Sequence, residues 1–312
     1  MQPDIIAIGE PMLEFNAEEE GALSDVRRFV AGWGGDTSNF AIAAGRAGGR
    51  VGYLTRLGDD EFGESFLKLW QREGIDVTRI VKDPDAFTAA YFISRKGKQH
   101  YFTYFRRDSA ASRMTPGFLP VDYIAGATLV HVSGISQAIS VSASETVSAA
   151  IAIARSAGRL VSYDPNFRPK LWPLDRAQAV IHDTCRQADL LFPSLDDARQ
   201  LTGMAAPEEI ARFYLGLGPK VVVVKLGAEG ALLATAEGLR RVPPYKVDAV
   251  DMSGAGDTFD GAFVASYLAG RPVDECLRFA NAAAAITTTG LGCVTPVPRL
   301  EEIEAFVARP PQ

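Results

Sequence analysis

The sequence predicts an α/β domain: a doubly wound, mostly parallel sheet with helices on both faces and a small β-sheet lid. Three observations carry that prediction. Short apolar runs recur along the chain, DIIAIG at 4–9, ATLVHVS at 127–133, RLVSYD at 159–164, ADLLF at 188–192 and KVVVVKL at 220–226. Runs of that length suit strands buried on both faces, as parallel strands are. An alanine-rich helical stretch at 142–157 separates the second run from the third and makes a β-α-β unit. Two aromatic-rich alternating runs, AFTAAYFIS at 86–94 and QHYFTYFR at 99–106, flank RKGK and read as a hairpin outside the parallel order.

Taken in order, the first strand ends at Gly9, and its carboxyl end points into the crevice where ligands of open α/β sheets bind. From Glu10 to Trp33 polarity alternates irregularly around EEEG, which predicts short strands and turns. Gly32, Gly34 and Gly35 then bring close backbone next to Asp36, Ser38 and Asn39, at the head of an alanine-rich helix. Small residues make room there, and the polar side chains supply directional hydrogen bonds. Thr37 and Ser38 read as helix-starting residues. Residues 50–55 form a second strand, followed by a helix over 62–73 with Phe62, Phe66, Leu69 and Trp70 on its apolar face and Trp70 in the core.

Alternation in the hairpin puts His100, Phe102, Tyr104 and Arg106 on one face, with Tyr91 as cross-strand neighbour. A guanidinium there suits a carboxylate, which it takes through two parallel hydrogen bonds. Gly134 and Ile135 follow the 127–133 strand, and Asp164, Asn166 and Arg168 follow the 159–164 strand, so both sets face the crevice. A cation at Arg168 can neutralise a transferring phosphoryl group or hold a substrate carboxylate. Further on, Gly227 and Gly230 in the GAEG turn let backbone approach a flat ligand, and Lys225 ends the strand before them. Residues 273–289 read as a helix, and 296–312 as a short helix with a proline-rich tail. The lid is assigned to 11–33 and 87–108, and the main domain to 1–10, 34–86 and 109–312.

The chemistry concentrates in DMSGAGDTFDGAF at 251–263. Gly254, Ala255 and Gly256 let successive backbone N–H groups converge on one anion, and the helix beginning near Gly256 points its positive end at the same place. Asp257, in the first turn, is the candidate general base for an attacking hydroxyl.

Composition narrows the classes. The chain has 312 residues and is 47% hydrophobic, enough for a substantial core. Its net charge of −6 comes from scattered charges, without the basic block a nucleic-acid partner needs. Cys185, Cys276 and Cys293 are far apart, as for buried free thiols in a reducing compartment, and the three histidines lack metal-ligand spacing. No apolar run approaches a membrane span and no leader is evident, so a cytoplasmic protein is expected. A nicotinamide dehydrogenase is disfavoured because GEPMLE, not G-x-G-x-x-G, follows the first strand.

DMSGAGD resembles the DTxGAGD signature of the ribokinase (PfkB) family of sugar kinases, and GGDTSNFAIAAGRAG at 34–48 resembles that family's N-terminal signature. FRRDSAASRMTP is similar to the YYR and SAAS segment of its 2-keto-3-deoxygluconate kinases; fructokinases carry a similar one. The resemblance implies a ribokinase-like fold and transfer of the ATP γ-phosphoryl group to the 6-hydroxyl of 2-keto-3-deoxygluconate. Fructose is the alternative acceptor, and a non-catalytic sugar-binding regulator is the reading from another class. It implies sugar contacts at Gly34, Gly35, Asp36, Asn39, Tyr91, Tyr104, Arg106, Ile135 and Arg168. It implies nucleotide contacts at Asn166, Ser194, Lys225, Gly227, Gly230, Gly254, Gly256 and Asn281. The family's Asn-x-x-Glu falls on Ser194 and Asp197, which keeps one carboxylate near magnesium but shortens it. In many relatives a monovalent cation such as potassium sits by the positions of Asp251 and Ser253. A lid of this kind also implies a homodimer formed through it.

Overall fold

The computed structural model of the protein describes residues 2–97 and 99–308. Its strands are β1 (Ile5–Ile8), β2 (Met12–Glu20), β3 (Phe29–Gly34), β4 (Val51–Leu54), β5 (Arg56–Gly58), β6 (Val81–Asp83), β7 (Ala90–Lys96), β8 (Gln99–Phe105), β9 (Leu129–Ser133), β10 (Leu160–Asp164), β11 (Leu190–Leu191), β12 (Val221–Lys225), β13 (Ala231–Thr235) and β14 (Gly238–Val242). Its α-helices are α1 (Asp36–Arg46), α2 (Glu61–Arg72), α3 (Val121–Gly126), α4 (Gly134–Ala138), α5 (Val141–Ser156), α6 (Leu174–Cys185), α7 (Leu195–Thr202), α8 (Pro207–Leu217), α9 (Ala255–Leu268), α10 (Val273–Thr287) and α11 (Leu300–Val307).

Eight strands form one sheet in the order β14-β13-β12-β11-β10-β9-β1-β4. The strands from β12 to β4 run parallel, and β13 and β14 return antiparallel at the edge. Strand β1 is the point of reversal: Ile5 lies opposite Val51 of β4 on one side and Leu129 of β9 on the other. Connections leave in opposite directions there, so a crevice opens beyond the carboxyl ends of β1 and β9.

Alternation along each strand divides the apolar residues between two cores, as a doubly wound sheet requires. Ile5, Ala7, Val221 and Val223 pack with Phe40 of α1, Phe263 of α9 and Phe279 of α10. Ile6, Ile8, Val222 and Val224 pack on the other face with Val147 of α5, Ile181 of α6 and Ile210 of α8. Trp70 is fully buried, as its sequence pattern predicts, and its indole donates to Ser38 Oγ at 3.0 Å. Phe62 is not part of that face; it is 39% exposed.

A second sheet has the order β3-β2-β7-β8, and β5 and β6 pair separately. Here two expectations need correction. Residues 10–33 hold the nine-residue strand β2 and the strand β3, rather than short strands and turns. Their alternation is hidden because Glu14 faces inward, only 2% exposed, and inverts the polarity expected of a buried position. The hairpin runs Ala90–Lys96 and Gln99–Phe105, so 86–89 lies outside it; Lys98 of its turn lies outside the described residues. Tyr91 and Tyr104 are direct cross-strand partners, as expected. The chain closes with α11, and the proline-rich residues 309–312 lie outside the described residues. Among the described residues no helix is long and apolar enough to cross a membrane, and all three cysteines are buried and free.

Candidate active site

Helix α9 starts at Ala255 because Gly254 before it adopts a left-handed conformation, φ 72°, that side chains disfavour. A Cβ on Gly254 would also stand 3.0 Å from the Cys293 carbonyl oxygen. No side chain caps this helix, and Gly254, Ala255, Gly256 and Asp257 all line a cavity of about 910 Å³. The Ala255 N–H donates back to the Met252 carbonyl at 3.3 Å, which leaves the anion-binding role to the amides that follow it and to the helix dipole.

Asp257 is half-buried, and Asn39 Nδ2 donates to its Oδ2 at 2.8 Å. Their closeness depends on Gly261, one turn further along α9, where a Cβ would stand 2.6 Å from the Phe40 carbonyl and push α1 away. Burial, reinforced by Asp36, pushes the Asp257 carboxyl up to about 7, against the Asn39 hydrogen bond. Asp36 accepts from Asn166 Nδ2 at 3.1 Å through Oδ2. Its Oδ1 and the Oδ1 of Asn39 are buried without hydrogen-bond partners. Two orphaned acceptors beside a raised carboxylate form a surface for hydroxyl donors.

The loop after β10 supplies the next wall. Asn166 holds φ 34° there, and its N–H donates to Asp164 Oδ1 at 3.0 Å. Arg168 donates to the Phe167 carbonyl at 3.1 Å and lies 3.9 Å from Asp197. Asp197 accepts from the Phe167 N–H at 3.2 Å, and burial raises its carboxyl against the pull of Arg168. Ser194 caps α7, its Oγ accepting from the Asp197 N–H at 3.2 Å. Asn281 lines the cavity while donating to the Pro243 carbonyl at 2.7 Å, and Gly227 and Gly230 lie along the same wall. Lys225 lines the cavity, yet its ammonium is not free to follow a phosphate. Its Nζ donates to Asp164 at 2.9 Å and to Asp260 at 2.9 Å.

The second sheet brings Tyr91, Tyr104 and Arg106 to the opposite side. The Tyr91 and Tyr104 rings are 5.7 Å apart, and the Arg106 guanidinium lies 5.8 Å from the Tyr104 ring. The anion that Arg106 requires is supplied internally by Glu10, which also accepts from Ser109 Oγ at 2.8 Å. Tyr91 donates its hydroxyl to Glu14, whose carboxylate also takes the Cys293 thiol at 3.5 Å. Burial raises the Tyr104 phenol, and the charges of Arg168 and Arg106 both pull it back. Gly34 sits beneath Tyr91, and Gly35 precedes α1 and packs on the Glu10 carbonyl. Ile135 is buried in α4, just past β9. Both oxygens of Asp251 accept backbone N–H groups, from Ser253 and from Gly292 at 2.9 Å each, so this side chain closes the turn that carries Gly254.

The family is decided by extent: the model for the pfkB family carbohydrate kinases matches residues 2–300. The chain belongs to that family. This pfkB carbohydrate kinase is 37% identical to the 2-dehydro-3-deoxygluconokinase of Thermoproteus tenax, across 97% of this chain and 94% of the relative. It is 34% identical to "Probable fructokinase-4" of Arabidopsis thaliana, across 97% and 96%. Among solved structures, the fructokinase with bound ATP from Xylella fastidiosa superposes with a TM-score of 0.87 at 26% identity, covering 98% of each chain. The protein is therefore a phosphotransferase acting on a sugar, with the ribokinase-like fold.

Several residues of this pfkB kinase's site escape a reading of the sequence. Glu10 was legible only as the residue after the first strand, and Glu14 and Asp260 as breaks in otherwise apolar patterns. Their partners are 96, 77 and 35 residues away in the chain. A polar residue at a core position was the available signal, and it names no partner.

Proposed function

We propose that this kinase transfers the γ-phosphoryl group of ATP to the 6-hydroxyl of 2-keto-3-deoxygluconate. The observation that carries the reading is Asp257 bonded to Asn39 and flanked by the orphaned Oδ1 atoms of Asp36 and Asn39. A polyhydroxy ligand supplies the donors these acceptors lack, and its terminal hydroxyl meets the Asp257 carboxylate, which is raised to about 7 and so can take a proton near neutrality. Asp257 accepts that proton as the oxygen bonds to the γ-phosphorus and the bond from phosphorus to the ADP oxygen breaks. The Gly254–Gly256 turn and Arg168 stabilise the charge that develops.

The cavity fits a nucleotide: its volume is at the upper end of the ~300–1,000 Å³ usual for ligand sites, and glycines line the wall for the base. Asn166, Ser194, Gly227, Gly230 and Asn281 would hold ATP, and Asp197 would hold its magnesium, a single carboxylate beside phosphates being a donor set magnesium accepts. When bound, magnesium supplies charge neutralisation at the phosphates. Potassium at Asp251 and Ser253 is not part of the reading, since that carboxylate has its own backbone donors.

For the acceptor, Tyr104 and Arg106, whose guanidinium lies 5.8 Å from the Tyr104 ring, would form a carboxylate-binding set with Arg168, and the Thermoproteus relative carries the matching name. Fructose is the second reading, favoured by the pairing of Arg106 with Glu10 and of Tyr91 with Glu14. The four-stranded sheet, from 11–33 and 87–108, serves as a lid, with the main domain formed by 1–10, 34–86 and 109–312. Its exposed Tyr101, Phe102 and Phe105 make it a surface for a second copy of the chain. ADP release measured with each sugar at matched concentration decides the acceptor: a preference for the keto acid supports the proposal, and a preference for fructose replaces it. A monomer in light scattering removes the dimer.

A further inference from the structure

Helix α9 carries two aspartates one turn apart, Asp257 half-buried and Asp260 buried, and they are used differently. Asp257 lines the cavity, whereas Asp260, 1% exposed, is bound up with Lys225. Lys225 Nζ donates to Asp260 at 2.9 Å and 3.1 Å and to Asp164 at 2.9 Å, so α9, β12 and the end of β10 meet on one ammonium. A lysine at the edge of a phosphate cavity is ordinarily a mobile charge on a flexible stem. Two carboxylates from different elements remove that freedom.

The place where the ammonium is fixed matters. A Cβ built on Gly256 would stand 3.5 Å from Lys225 Nζ, so the charge lies beside the last residue of the turn that faces the cavity. Burial drives the Asp260 carboxyl well up against the pull of Lys225, whereas at Asp164 burial is opposed by Lys225 together with hydrogen bonds from Lys225, Asp260 and the Asn166 N–H, and the carboxyl stays low. Both Asp260 oxygens and Asp164 Oδ2 accept from the one ammonium, so its position is set by carboxylates on two different elements.

We propose that Asp260 is a positioning residue for phosphoryl transfer: with Asp164 it fixes Lys225 Nζ behind Gly256, where the ammonium acts as a stationary charge beside the anion hole. The proposal rests on the reading of residues 254–257 as the phosphoryl site. It reassigns Lys225 from phosphate ligand to fixed background charge, and it gives a role to a residue outside the GAGD signature.

The test is steady-state kinetics and the pH profile of kcat for Asp260→Ala, Asp260→Asn and Lys225→Met, with Asp257→Asn as control. Asp260→Ala should lower kcat roughly 10–100-fold, the scale of a misplaced electrostatic contact, with the sugar KM within about twofold. Its acid limb should move to higher pH. Asp257 faces Asp36, Asp164, Lys225 and Cys293, and of these Lys225 is the charge that holds its carboxyl down. Asp260→Asn, which keeps an acceptor for the ammonium, should recover most of the loss, and adding Lys225→Met to Asp260→Ala should cost little more. An unchanged kcat and acid limb in Asp260→Ala overturns the proposal. Should that variant not fold, Lys225→Met decides alone: a fall in kcat with a raised acid limb supports the proposal, and a change confined to the KM for ATP overturns it. Wild-type turnover in Asp257→Asn would instead defeat the underlying site reading.

Discussion

Two arginines of the candidate site, Arg106 and Arg168, are held in different ways. Arg106, at the end of the second sheet, is 11% exposed and paired with the fully buried Glu10. Arg168, in the loop after β10, is 48% exposed, hydrogen-bonds the neighbouring Phe167 carbonyl and stands 3.9 Å from Asp197. The first is a fixed part of the architecture. The second retains freedom to follow charge as it moves. The contrast teaches that one cation is fixed by packing and the other is not; on the proposed function, the first would serve ground-state recognition and the second the transition state.

The largest test of this division removes the centre on which both act. Asp257→Asn should abolish turnover, by more than about a thousandfold, while equilibrium binding of sugar and nucleotide persists. Turnover near wild type would remove the chemistry from both arginines at once. The same variant should melt at a higher temperature at pH 8. A carboxylate whose folded pKa is raised contributes most below its unfolded pKa and loses that contribution as pH rises to about 7, so the ionised Asp257 is a cost the amide lacks.

Arg168→Gln should come next, lowering kcat ~100-fold with little change in melting temperature, since its side chain is half exposed. A drop in stability with kcat intact would reverse the assignment. Arg106→Gln should raise the KM for a sugar acid roughly tenfold with kcat nearly unchanged, and it should destabilise the fold by about 3 kcal/mol because Glu10 is left buried without its ion-pair partner. A kcat effect larger than that of Arg168→Gln would show that the distinction drawn from burial is wrong. The smallest effect is in the pH profile: kcat should fall as pH drops below about 7, tracking protonation of Asp257. A profile flat down to pH 5 would remove Asp257 as the titrating base.

Much of the fold was legible because its causes are local. Unbroken valine and leucine runs specify strands buried on both faces, glycine before Asp257 specifies a helix start, and the aromatic alternation at 90–105 specifies a ribbon. Strand β2 was harder to read because Glu14 occupies a buried position and disguises the period. The candidate site was legible in the same sense: residues of the GGDTSN and GAGD stretches, 218 positions apart at Asn39 and Asp257, do meet at 2.8 Å.

The sequence by itself determined which residue types stand at the strand ends and helix starts, and hence the class of chemistry, because backbone geometry and helix dipoles follow from a few neighbouring residues. Only the tertiary structure decided which charges are free to act. Lys225 and Arg106 read as available cations in the chain, yet packing delivers each to buried carboxylates, while Asp36 and Asn39 keep acceptors without partners. Pairing is decided by the low-dielectric interior, where a charge must find a counter-charge from whatever element the fold brings beside it, and that neighbour is not encoded in the residues on either side.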